Sequence, residues 1–163
     1  KMFLPVTGGG ETFDAGCLWT SSTPIHLPEE IRFYYGAYPG WNSDLENDST
    51  GIGLAILPRD RYAAIEPTKG IAQVTLKSIQ LGNAKRVTVN ADATNGDVRV
   101  ELLTAEGYRV AGYTRDQSVV INGNSLWHPV NWKDKAMTDL AAGRYQLRLH
   151  LKNARLFALT IQR

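Results

Sequence analysis

Hydrophobic and polar residues alternate along three stretches of the second half of the chain, Arg86–Ala91, Asp97–Leu103 and Tyr145–Leu151. Successive side chains of a β-strand point to opposite sides, so a period of two predicts a strand with one buried and one solvent-facing side. Three such strands, each with a single apolar side, predict a two-layer antiparallel core rather than a buried parallel sheet.

Shorter apolar or aromatic runs predict further strands, and Gly, Asn, Asp or Pro separate them. Only one stretch, Lys135–Ala142, carries a helical spacing of apolar residues. Together these features predict an all-β fold, an antiparallel sandwich of the jelly-roll type. The further strands are Ile31–Tyr35, Ile52–Leu57, Ile71–Leu81 and Val119–Asn122, and the predicted turns are Gly82–Asn83, Asn95–Asp97, Glu106–Gly107 and Asn122–Asn124.

The same alternation assigns charged residues to the solvent side of the sandwich. Arg99 and Glu101 fall opposite the apolar residues of their strand, and His150 falls on the polar side of the strand Tyr145–Leu151. We therefore expect all three side chains to be solvated. A solvated His150 is favoured over a histidine that binds a metal.

Composition and charge exclude several classes of protein. The chain has 163 residues, of which 43% are hydrophobic and 21% charged, as in globular domains. A net charge of only +2 argues against nucleic acid as a partner, and no apolar run is long enough to span a membrane. The single Cys17 allows neither an internal disulfide nor a zinc site made of thiolates.

The first third of the chain differs in composition from the rest. Aromatic residues and loops crowd the first third, and the strand pattern resumes at Ile71, after Pro67 and Gly70. We expect an N-terminal unit over residues 1–66 and a sandwich over residues 67–163. The start at Lys1, without a signal sequence, indicates a fragment of a longer protein, and secretion or a bacterial periplasm are the candidate locations.

Several stretches resemble the last propeller blade and the C-terminal β-sandwich of bacterial glycoside hydrolases of the five-bladed propeller type, similar to families 32 and 43. In the first third these are GETFDAGCLW, PEEIRFYYGAY and TGIGLAILPRDRYAAIE; in the remainder they are VNADA, GDVRVELLTAEG, HPVNW and RLHLKNARLFAL. The resemblance implies propeller-like strands before the sandwich. It also implies a role in carbohydrate chemistry, in a bacterial protein.

The resemblance further implies that catalysis, if the parent protein has it, needs blades that this chain does not contain. Glycoside hydrolysis requires two carboxyl groups on either side of the scissile bond. Asp14, in a loop beside Gly16, is the best candidate for one of them, and the competing interpretation is an Asx turn or a strand cap. The chain by itself is not expected to be catalytic, and no cofactor or metal is predicted.

Aromatic residues next to amide and carboxylate groups are typical of sugar binding, because a ring stacks on the apolar side of a sugar while polar groups bind its hydroxyls. Two clusters have this composition. Two interpretations stay open for Trp127, a stacking platform and a residue wedged under a loop, whereas Trp132 is expected in the core. The first cluster is Tyr38, Trp41, Asn42 and Asp44, with Tyr35 from the preceding strand; the second is Trp127 and His128, with Asn131 and Trp132 beside them.

Two functions of different classes remain open from the sequence. In the first, the chain binds an oligosaccharide or polysaccharide, or supports a carbohydrate-active protein that does. In the second, it is a structural or protein-contact module whose aromatic loops bury against the missing propeller portion or a second chain. Glycosidase activity completed by other chain segments is a weaker third hypothesis.

Overall fold

The structure, a computed structural model, describes residue 4 and residues 12–40 and 50–163. It is nearly all β, as predicted, and its sheets are antiparallel. The helical spacing at Lys135–Ala142 does not produce an α-helix, because the described chain forms only a 3₁₀ turn there, at Met137–Asp139. The strands are β1 Cys17–Thr20, β2 Ile25–His26, β3 Glu30–Tyr38, β4 Gly51–Pro58, β5 Ile71–Thr75, β6 Ile79–Gln80, β7 Arg86–Thr104, β8 Ile121–Pro129, β9 Arg144–Lys152 and β10 Arg155–Gln162.

The chain forms two compact units, Lys1–Asp60 and Arg61–Arg163. Residues 61–65 belong to the second unit because Ile65 pairs with Leu156 and Arg61 bonds to Asn90 of β7. The boundary between the units therefore lies after Asp60, earlier in the chain than the boundary that the sequence predicted after Glu66.

The first unit contains one small antiparallel sheet. Strand β3 lies in its middle, with β4 along one edge and both β1 and β2 along the other. Exposure alternates strictly along β4, so one face of the sheet is more buried than the other. On the more buried face, Ile31 and Ala37 have almost no exposed surface.

Strand β7 is the longest strand of the second unit, with 19 residues, and its two halves pair with different strands. Its N-terminal half pairs with β8 and β10, and its C-terminal half pairs with β9. Val87, Val89 and Ala91 from one half, and Val98 and Val100 from the other, enter the same core. A strand that bends in this way can contribute to both layers of a sandwich.

The pairing with β8 shifts register between Ala93 and Val98, and such an irregularity bends a strand, here at Asn95–Asp97, where the sequence predicted a turn between two separate strands. That expectation was wrong, since the strand continues through these residues. The turn expected at Asn122–Asn124 also lies inside a strand, β8, with Gly123 at a φ of 79°. The turns at Gly82–Asn83 and at Glu106–Gly107 are confirmed.

Trp132 lies in the core, as expected, with 4% of its surface exposed. Its indole N–H donates to the carbonyl of Val100 at 2.9 Å, and its ring meets that of Tyr113 edge-on at 5.1 Å. Ser118 Oγ accepts the N–H of Val100 at 2.9 Å. Two side chains therefore complete the backbone hydrogen bonding of β7 at this residue.

Candidate functional site

A buried carboxylate lies on the side of β7 that faces away from the core. Glu101 has no exposed surface, although its neighbours Val100 and Leu102 are the residues that fill the core. Its Oε1 lies 3.1 Å from Nε2 of His150 and 3.3 Å from Nη1 of Arg148. Both partners come from β9, whose register places Arg148 directly opposite Glu101.

A third cation reaches the same carboxylate from the loop that follows β7. Nε of Arg109 lies 3.4 Å from Oε2 of Glu101, and 70% of the Arg109 side chain is exposed. Oε2 has no hydrogen bond, in spite of its burial. The carboxylate is therefore held at one oxygen and only screened electrostatically at the other.

The charges around Glu101 decide its ionisation. Burial by itself would raise the pKa of this carboxyl, but the hydrogen bond and charge of His150, with Arg109 and Arg148, outweigh burial and lower the pKa below its ordinary value. Glu101 is therefore ionised at neutral pH. An ionised carboxylate amid three cationic or ionisable groups can organise their N–H donors toward a ligand.

The sequence did not predict this cluster. Glu101, which was expected to be solvated, is fully buried, and His150 has only 18% of its side chain exposed. Arg99 is only partly exposed and binds the carbonyl of Ser118. The alternation correctly placed these residues on the outer side of the sheet, but the side chain of Arg109, from a loop, covers that side at Glu101.

The predicted sugar-stacking residue Trp127 lies on β8, with 45% of its surface exposed. Its backbone N–H donates to Ser125 Oγ at 3.1 Å. A register shift in the pairing of β7 with β8 leaves Leu126 and Trp127 opposite Asn90, between the pairs Val89–His128 and Ala91–Ser125. An exposed indole therefore lies on a strand whose neighbours carry amide and hydroxyl groups.

A polar network runs beside Trp127 along the outer side of β7. Arg61 donates to Asn90 Oδ1 at 2.8 Å and to Asn124 Oδ1 at 2.7 Å. Arg155 donates to Asp92 Oδ2 at 2.7 Å. Hydrogen bonds from Thr94 and then from Arg155 lower the pKa of Asp92 to about 2. These groups are fixed before any ligand arrives.

His128, the other member of the second predicted cluster, is half-buried. Its Nε2 lies 3.2 Å from the carbonyl oxygen of Ala91, so the ring lies along β7. Within the described ranges, no group of His, Cys, Asp or Glu side chains is arranged to hold a metal ion.

Asp14, the candidate catalytic carboxylate, is buried in the first unit, with 7% of its surface exposed. It accepts a hydrogen bond from the hydroxyl of Tyr35 at 3.2 Å. Burial, and then the Asp14 carboxylate, raise the pKa of Tyr35 above its ordinary value. Phe13 stacks beside Tyr35 at 6.3 Å. In this arrangement Asp14 is the hydrogen-bond acceptor for the Tyr35 hydroxyl, and its catalytic role stays a prediction.

Tyr38 of the first predicted cluster lies on β3 with 43% of its surface exposed. The other residues of that cluster, Trp41, Asn42 and Asp44, lie outside the described residues. Tyr34 is also exposed and Tyr35 is half-buried, as expected for neighbours that point to opposite sides of a strand.

The exposed face of the first sheet is strongly apolar. The register places Trp19 and Ile52 on either side of Gly36, and Leu54 directly opposite Tyr34. Arg32 lies on the same face between Ile25 and Ile56, but an apolar surface of this extent is still unusual on a monomeric protein. Its exposed members are Trp19, Ile25, Tyr34, Tyr38, Ile52, Leu54 and Ile56, hereafter the apolar face.

Comparison with known proteins finds no matching family, curated protein or solved structure. The resemblance to propeller glycoside hydrolases therefore stays a prediction. No helix in the described part of the chain is long and apolar enough to cross a membrane.

Proposed function

We propose that the chain binds a glycan without cleaving it, as one module of a carbohydrate-active protein. The observation that supports this proposal is the exposed indole of Trp127 beside fixed polar groups. The indole offers an apolar plane to one side of a sugar ring. Asn124 and Arg155 offer hydrogen-bonding groups to its hydroxyls, in the combination that sugar sites use.

Preorganisation favours this surface. Arg61 is held by two amide side chains, and its guanidinium lies 4.5 Å from the centre of the Phe157 ring. A binding surface that is already ordered loses less conformational entropy when its ligand arrives.

Affinity electrophoresis in gels that contain plant, algal or fructan polysaccharides tests the proposal. At least one polymer should retard the intact chain, and Trp127→Ala should abolish the retardation while its circular dichroism stays unchanged. Tyr108→Ala is the matched control, because Tyr108 is a 74% exposed aromatic residue elsewhere in the same unit. Absence of retardation by every polymer, or equal loss in both variants, contradicts the proposal.

Trp41 remains a second proposed platform, with Asn42 and Asp44 as its polar partners. Trp41→Ala in the same gels separates the two platforms. If it alone removes the retardation, the glycan binds at the first unit, and the Trp127 proposal is wrong.

The apolar face favours a second candidate function, contact with another protein surface. The solvent-exposed area of its side chains is roughly 800 Å², which is about the area that one partner contributes to a stable interface. The face is flat, like a sheet, and aliphatic residues outnumber aromatic ones. We therefore propose that its partner is the apolar face of another antiparallel sheet.

Sedimentation velocity over a range of concentrations tests this second candidate. Without its natural partner, the apolar face should pair with copies of itself, so the average mass should rise with concentration. Ile52→Lys should keep the chain monomeric, whereas Ile71→Lys should not, although the two isoleucines are 82% and 75% exposed. A wild-type chain that stays monomeric at all concentrations contradicts the candidate.

A further inference from the structure

The outer side of β7 and β9 around Glu101 carries an excess of positive charge. Arg99, Arg148 and Lys152 lie on this side by register, and Arg109 joins them from its loop. Against these four cations stand only two carboxylates, Asp97 and Glu101. The excess equals the net charge of +2 of the whole chain. We call this surface the basic face.

Glu101 fixes the donors of the basic face in place. Arg148 binds Glu101 through Nη1 and Thr75 Oγ1 through Nε, at 3.3 and 3.0 Å. With two of its nitrogens held, the guanidinium of Arg148 keeps one orientation. An anion that meets this group finds donors that are already ordered.

Oε2 of Glu101 indicates what else the ligand must carry. It is a buried acceptor with no hydrogen bond. Arg109 meets Oε2 only as an ion pair at 3.4 Å, and a buried acceptor with no well-formed hydrogen bond is costly and rare in native structures. A ligand hydroxyl that donates to Oε2 would remove this cost.

The side chain of Arg109 can give way to such a ligand without refolding of its loop. The backbone on either side is tied to β7: the N–H of Thr104 donates to the carbonyl of Tyr108, and the N–H of Val110 donates to that of Leu102. The side chain itself is 70% exposed. It can therefore swing from Oε2 and still keep its guanidinium at the rim.

We propose that the basic face binds a hydroxy acid, whose hydroxyl donates to Oε2 of Glu101 and whose carboxylate accepts from Arg109 and Arg148. A hexuronate has both groups. Sulfate has no hydroxyl at neutral pH to donate to Oε2, and a neutral sugar has no carboxylate for the arginines. This site is separate from the Trp127 surface and does not depend on the proposed glycan binding there.

Isothermal titration of the intact chain with galacturonate, galactose and sodium sulfate, at equal ionic strength, tests the proposal. Galacturonate should bind, whereas galactose and sulfate should bind at least tenfold more weakly. Equal affinity for galactose or for sulfate would overturn the proposed recognition, as would no binding of galacturonate at millimolar concentration.

Variants assign the binding to the basic face. Arg109→Gln should weaken galacturonate binding at least tenfold, because it removes one charge from an exposed side chain. Arg115→Gln is the matched control, since Arg115 is an exposed arginine elsewhere in the unit, and Trp127→Ala should also bind normally. An unchanged affinity in Arg109→Gln would refute the site, and a loss in Trp127→Ala would assign binding to the other surface.

Two sources of the ligand remain to be separated, a free hydroxy acid and an acidic polysaccharide. A trimer of galacturonate compared with the monomer distinguishes them. Tighter binding of the trimer, lost in Arg109→Gln, supports a polysaccharide at the basic face. Equal or weaker binding of the trimer supports the free acid at the same site.

Discussion

The backbone of Val100 provides a sharp test of how the sandwich is held together. At this residue β7 has no strand beside it on one edge, and Trp132 and Ser118 bind its C=O and N–H instead. Replacing Trp132 by Phe keeps an aromatic ring but removes the donor for a buried carbonyl. Ser118→Ala removes the acceptor for the N–H of the same residue.

The expected cost follows from these two losses. An unsatisfied buried backbone group costs about 1–3 kcal/mol. The smaller ring of Phe also leaves a cavity of about 40 Å³, worth about 1 kcal/mol. We therefore expect Trp132→Phe to lower the free energy of unfolding by about 2–4 kcal/mol, and Ser118→Ala by about 1–3 kcal/mol. In a unit of roughly 100 residues, 2 kcal/mol lowers the melting temperature by about 10 °C.

Urea denaturation followed by far-ultraviolet circular dichroism measures these costs, because fluorescence would change with the tryptophan itself. Trp127→Phe is the control, since its side chain is 45% exposed and makes no core contact of this kind. It should change the free energy of unfolding by less than about 0.5 kcal/mol. If Trp132→Phe costs no more than this control, the hydrogen bond to Val100 does not support the sandwich, and our reasoning is refuted.

Two further predictions concern other parts of the chain. Gly53→Ala should destabilise the first unit by about 1–3 kcal/mol in urea, since its new Cβ would overlap the Tyr35 ring. Gly36→Ala should cost less than about 0.5 kcal/mol, because a Cβ at Gly36 meets no other atom. Equal costs for the two variants would contradict this prediction. Hydrogen bonds, first of all from Thr94, lower the pKa of Asp92 from 3.8 to about 2. The Asp92 carboxylate should therefore stabilise the fold at pH values above 3.8, and this stabilisation should be lost as the pH falls toward 2. The stability difference between wild type and Asp92→Asn, about 1–2 kcal/mol at pH 6, should therefore shrink over that range, and a constant difference would argue against the shift.

Alternation predicted the strands of the second unit because burial acts on every second residue of a strand. Val87, Val98 and Leu147 fall on the core side in both the sequence and the structure. The continuity of β7 was missed, since Asn95 and Gly96 have the composition of a turn. Tertiary packing overrides that local preference, because β9 and β10 run alongside both halves of β7.

The cluster at Glu101 could be predicted only in part. The sequence shows that Glu101, Arg148 and His150 lie on the polar sides of their strands, but not that β7 and β9 are neighbours. That pairing joins residues 47 positions apart, as in the contact between Glu101 and Arg148. Nor does alternation reveal that Arg109, from a loop, covers the carboxylate. Burial of a charge by a distant side chain has no local signal.

The bend of β7 links the fold to both proposed sites. Gly96 lies where the backbone of Lys152 passes so close that any Cβ would overlap its carbonyl oxygen, so the close approach of β7 and β9 needs glycine here. Before the bend, the outer side of β7 carries Asn90 and Asp92 beside Trp127; after it, the outer side carries Glu101. One strand therefore supports a surface with an exposed indole and a surface with a buried carboxylate. Because these surfaces lie on different halves of the bend, a change at either site should leave ligand binding at the other intact.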